Sequence, residues 1–102
     1  MRVHALKIEP DMYYLSESGM KMSEFRKNDR AFMVGDILKL IYYDPGRTDE
    51  NSKSLSPTLV WRTPPPPLYR KVSSVVHGGR YEIPEDYCIM DLVHHDGAYV
   101  EP

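Results

Sequence analysis

The punctuation of this chain constrains its fold most: every run of β character is short and is closed by a turn signal. Such runs cover Val3 to Ile8, Met20 to Lys27, Ile37 to Tyr43, Tyr69 to Val76 and Tyr87 to Val93. Between them stand Gly19, Asn28-Asp29-Arg30, Val34-Gly35-Asp36 and His77-Gly78-Gly79, residues that tolerate or favour the dihedrals of tight turns. Pro10 near the start and Gly19 just past the end bracket one short helix. Strands this short cannot build a broad flat sheet, and a small sheet protects its edges best by curling toward closure. The expectation is an α+β domain, a small barrel of five to six mixed strands with one or two short helices.

A chain of 102 residues has room for one core, so residues 1–102 read as a single domain. Asp44 to Pro67 breaks the β pattern with a polar stretch that ends in Pro64-Pro65-Pro66-Pro67. Four prolines offer no N–H donors and prefer the polyproline II conformation, so this stretch reads as a long loop, with a short strand at Leu59-Val60-Trp61. From about His94 the chain reads as a polar tail.

Formal net charge is -2, but residues 81–102 hold six acids and no Lys or Arg. The body before them is therefore mildly basic, far short of the excess that marks a purely electrostatic nucleic-acid binder. Cys88 is the only cysteine, which excludes an internal disulfide framework and fits a reducing, cytoplasmic setting. The N-terminal residues lack the apolar core of a signal peptide and no run approaches a membrane span, so no membrane partner is expected. His94-His95-Asp96 invites a metal reading, yet adjacent residues on a strand point to opposite faces; no metal and no cofactor are expected.

The candidate site is the block from Gly19 to Arg30. On a strand over Met20 to Lys27, alternation puts Met20, Met22, Glu24 and Arg26 on one side and Lys21, Ser23, Phe25 and Lys27 on the other. Ionisable groups then line both faces. One reading is a structural ion pair of Glu24 with Arg26 that supports the Asn28-Asp29 turn, leaving Lys21 in solvent. The other is a polar binding surface.

The spacing Gly19-x-Lys21-x-x-Glu24-x-Arg26 resembles the GxKxxExR signature of the ASCH domain superfamily. Its surroundings, His4-x-Leu6-Lys7-Ile8, Arg26 to Leu38 and His77-Gly78-Gly79, resemble one small, phage- and bacteria-associated branch of uncharacterised function. The resemblance spans roughly residues 2–43 and 68–93, and against that branch Asp44 to Pro67 reads as an insertion. It implies a PUA-like barrel whose signature borders a cleft for RNA or a nucleotide. Lys21, Ser23, Glu24, Arg26, Lys27, Asn28 and Arg30 would line that cleft, with Trp61, Arg62 and Tyr69 as loop contacts. Lys21 and Arg26 would meet phosphate or a base edge, and Glu24 would hold Arg26 or accept from a base amino group.

Two other functional classes follow from the same residues. Some ASCH-like proteins are amidohydrolases on an acetylated cytidine, using the signature lysine, a hydroxyl nucleophile three residues later and a distant glutamate. Here Lys21 matches, but the third position on is Glu24; Ser23 would point to the opposite face, and neither Glu82 nor Glu85 is singled out as the distant carboxylate. As an enzyme, a hydrolase of RNA or of a modified nucleoside, the chain would rely on Lys21 and Glu24; a ribonuclease reading would add Tyr13 or Tyr14 and Ser23. The third class is a phage-encoded interaction protein that grips a host protein through the long loop and Trp61.

Overall fold

A computed structural model describes residues 1–44 and 64–98. The elements run β1 (Val3–Ile8), α1 (Pro10–Glu17), β2 (Ser23–Lys27), β3 (Ile37–Tyr42), β4 (Leu68–His77) and β5 (Tyr87–His95). The five strands form one mixed sheet in the order β1-β3-β4-β5-β2. β1 runs parallel to β3, and the β3-β4, β4-β5 and β5-β2 pairs are antiparallel. The sheet curls into a half-barrel, an α+β architecture with a single short helix among the described residues.

Alternation along the strands builds the core. His4, Leu6 and Ile8 face inward from β1, Leu38 and Leu40 from β3, and Cys88, Met90 and Leu92 from β5. Full burial of a leucine or methionine contributes roughly 1.5–3 kcal/mol, so this layer carries much of the stability. On β4 the alternation would fail after Val72, but a bulge inserts Ser73 and returns Val75 to the core side. Asp91 fastens the bulge, its carbonyl accepting from the Ser73 hydroxyl at 3.1 Å and its carboxylate from Ser74 at 2.8 Å. The bulge also bends the strand, which helps the sheet curl.

α1 starts at Pro10, as its fixed φ favours, and stops where Gly19 takes φ +81°. The Lys21 amide donates to the Leu15 carbonyl at 3.0 Å, so the helix end holds the chain through Lys21. That is why β2 begins at Ser23 rather than at Met20, as the alternation alone had implied. Tyr13 is wholly buried under α1 and its hydroxyl donates to the Pro66 carbonyl at 2.7 Å, pinning the proline run. Arg70, also buried, donates from Nη2 to the Ser16 carbonyl at 2.8 Å and so caps the helix C-terminus. Its Nε has no hydrogen-bond partner, and burial lowers its pKa from the ordinary arginine value.

The expected tail from His94 is corrected: β5 runs on to His95, because β4 starts at Leu68 and offers Arg70 and Tyr69 as partners for His94 and His95. Beyond it, Gly97 lies against the Tyr69 ring so closely that a Cβ there would sit 2.7 Å from a ring carbon. The expected strand at Leu59-Val60-Trp61 and most of the Asp44 to Pro67 loop lie outside the described residues. No helix among the described residues is long and apolar enough to cross a membrane.

Candidate functional site

In this strand order β1 and β2 are the two edges, and the curl brings them face to face. β1 pairs with β3 through the carbonyls of Arg2 and Ile8, so alternation leaves those of Ala5 and Lys7 turned to the open side. Two arginines reach across to those acceptors. Arg26 Nη2 donates to the Lys7 carbonyl at 2.8 Å and Arg30 Nη1 to the Ala5 carbonyl at 2.7 Å. The seam between the edges is thus bridged by guanidinium groups rather than by a backbone ladder.

Along this seam lies a cleft of about 570 Å³, bordered by β1 from Leu6 to Ile8, by Glu9 and Met12, by residues between Lys21 and Phe32, and by Tyr87. Five cations (Lys7, Lys21, Arg26, Lys27, Arg30) and three carboxylates (Glu9, Glu24, Asp29) line it, so its charge is positive although the whole chain is acidic.

Glu24 organises the inner wall. It faces the core from β2, opposite Met90, and only 6% of it is exposed. Burying a carboxylate without partners is strongly unfavourable. Here Lys21 Nζ lies 2.6 Å from one oxygen and Arg26 Nε 2.5 Å from the other. Lys21 also donates to the Ser23 carbonyl at 2.5 Å. The expected Glu24–Arg26 pair therefore exists, but Lys21 joins it instead of standing in solvent. It can do so because it precedes the strand and escapes the alternation that would have sent it to the other face. One carboxylate balances two cations, leaving a net positive charge at the wall.

The cleft brings together Lys21, Glu24, Arg26, Lys27 and Arg30 of the expected set. Ser23 and Asn28 do not line it. The Asn28 side chain turns to the loop behind, its Oδ1 accepting from the Phe32 amide at 3.0 Å. Tyr69 sits on β4 opposite Lys39 and His95, away from the seam, while Trp61 and Arg62 lie outside the described residues. Glu82 and Glu85 are exposed and border no part of the cleft. The lining also takes in residues outside the expected set, Lys7, Phe25 and Tyr87 among them. A signal existed for Phe25, since a lone aromatic among Lys21, Ser23 and Lys27 on one strand face belongs at the surface.

A second buried carboxylate, Asp36, stands just before β3, beside the start of β1. Asp36 accepts from the Met33 amide at 3.0 Å, the Arg2 amide at 3.2 Å, His4 Nε2 at 2.9 Å and, more distantly, Arg2 Nη2 at 3.4 Å. Burial pushes its carboxyl up, but the hydrogen bonds from His4, Met33 and Arg2 and the charge of His4 outweigh it and hold the group below the ordinary aspartate value. Val34-Gly35-Asp36 is thus a structural clasp. Gly35 adopts φ +95°, a conformation that glycine alone takes without strain.

A curled half-barrel with a basic cleft along its side-chain-bridged seam defines a small α+β domain. The chain belongs to the family described as Domain of unknown function (DUF3850), whose model matches residues 3–61. That span takes in β1, α1, β2, β3 and the lining residues from Leu6 to Phe32. No curated protein matches the chain.

Proposed function

We propose that this protein is an RNA- or nucleotide-binding module of the ASCH type on a PUA-like barrel, and that the seam cleft is its ligand site. The observation that supports the reading most is the meeting of the GxKxxExR residues Lys21, Glu24 and Arg26 with Lys27 and Arg30 in one net-positive cleft. Phosphate suits the cations that the inner wall leaves least occupied. The Lys27 side chain is 61% exposed, and its nearest carboxylate, Asp86, stands at 4.0 Å. Arg30 spends one terminal nitrogen on the Ala5 carbonyl and keeps donors for a ligand.

Binding fits this arrangement better than hydrolysis. Lys21 and Glu24 neutralise each other, no hydroxyl stands three residues after Lys21, and Ser23 lies outside the cleft lining. Acetylated cytidine incubated with the protein should therefore stay intact.

The direct test is titration of labelled single-stranded RNA with Lys27→Ala and Arg26→Ala variants. Lys27→Ala should bind several-fold more weakly at an unchanged melting temperature, with the slope of log K against log salt shallower by about 0.7. Wild-type affinity in both variants would overturn the reading.

A further inference from the structure

Phe25 is a large apolar side chain that the seam does not need, since it alternates with buried Glu24 and points away from the core with 52% of its surface exposed. Its ring is not alone. It stacks on Tyr87 with centroids 5.1 Å apart and planes 17° from parallel. The register explains the pair: Phe25 stands opposite Ile89 and Lys27 opposite Tyr87, so the two aromatics are diagonal neighbours across β2 and β5. Tyr87 stacks against the phenyl ring, which still keeps half of its surface in solvent.

Both rings border the basic cleft, beside Lys7, Arg26 and Lys27. That neighbourhood selects the partner. An aliphatic protein surface laid on Phe25 would desolvate adjacent ammonium and guanidinium groups without compensating them. A nucleobase offers a π-face to the ring, and its sugar-phosphate carries negative charge to the cations on either side.

We propose that Phe25 on Tyr87 is a base-stacking platform, and that the ligand is a strand of RNA longer than one nucleotide. The proposal rests on the reading of the cleft as a nucleotide site and adds length to it. Glu24 and Arg26 lie on the inner face of β2 and Phe25 on its outer face at the border of the cleft, so a strand that follows the cleft across the edge of β2 meets both. One nucleotide fills the cleft; its neighbour lies on the platform.

The experiment compares a uridine mononucleotide with an oligouridylate of about eight nucleotides, titrated against the wild type, Phe25→Ala and Phe25→Trp. Phe25→Ala should weaken the oligonucleotide about tenfold, weaken the mononucleotide far less and keep the melting temperature; Phe25→Trp should restore oligonucleotide affinity. Wild-type oligonucleotide affinity in Phe25→Ala overturns the platform while the cleft reading stands, and leaves the exposed ring as a protein-contact surface. Equal weakening of both ligands overturns the strand proposal by making Phe25 part of a mononucleotide site. Binding of neither ligand by the wild type removes the cleft reading and the platform with it.

Discussion

Two buried carboxylates, Asp36 and Glu24, are almost equally hidden from solvent, at 4% and 6% exposure, yet their closest partners differ in kind. Asp36 takes two backbone amides and the rigid ring of His4, itself buried and packed edge-on to Phe32 at 4.8 Å, with the Arg2 guanidinium farther off at 3.4 Å. Glu24 takes the ends of two long side chains, Lys21 and Arg26, which are 23% and 30% exposed. Short, fixed donors make a clasp. Long, half-exposed cations make a wall that can still offer charge outward. Burial of an acid does not by itself mark a site; the reach and exposure of its partners do.

Three substitutions and conditions would break or sharpen that contrast. The largest effect is expected from Asp36→Ala, which strands His4 and two amides in the interior and should lower unfolding free energy by about 3–4 kcal/mol in chemical denaturation. The folded fraction should still bind RNA. Glu24→Gln should be milder, about 1–2 kcal/mol, because its half-exposed partners can turn to water. It should also tighten RNA at low salt and lose that gain at high salt, since two cations are freed on the cleft wall. A stability loss equal to that of Asp36→Ala would make Glu24 a clasp as well.

The smallest effect lies in the pH dependence. The folded Asp36 carboxyl titrates below its unfolded value of about 3.9, so its contribution is complete above that pH and is lost as the pH falls through the lower folded value. Denaturation curves of the wild type and Asp36→Asn should therefore converge on acidification below about pH 4, and stay apart above about pH 5. Parallel curves throughout would show that the clasp works without the charge.

Local rules carried most of the strand reading. β1 is bounded as its alternation requires, α1 as Pro10 and Gly19 require, and β3 ends one residue short of the expected Tyr43. The misplaced ends have non-local causes: β2 is shortened by the hydrogen bond from Lys21 to Leu15, and β5 is lengthened by the reach of β4. The candidate site was legible as a cluster but not as a shape. That Arg26 would find Lys7, 19 residues away, and Arg30 find Ala5, 25 away, depends on which strands become edges and how far the sheet curls. No local pattern encodes strand order. The stacking of Phe25 on Tyr87 likewise follows from the β2-β5 register, which the hydrophobic pattern of β2, mixed on both faces, does not fix.

The arginine bridges of the seam have a consequence for the company this chain keeps. An edge strand with open carbonyls is a template on which a foreign strand can grow, and β1, rich in apolar residues, would be an inviting one. Arg26 and Arg30 occupy those acceptors with charged groups, so an approaching strand would have to displace two guanidiniums before it gained its first hydrogen bond. The side chains that shape the cleft also cover the exposed edge of β1.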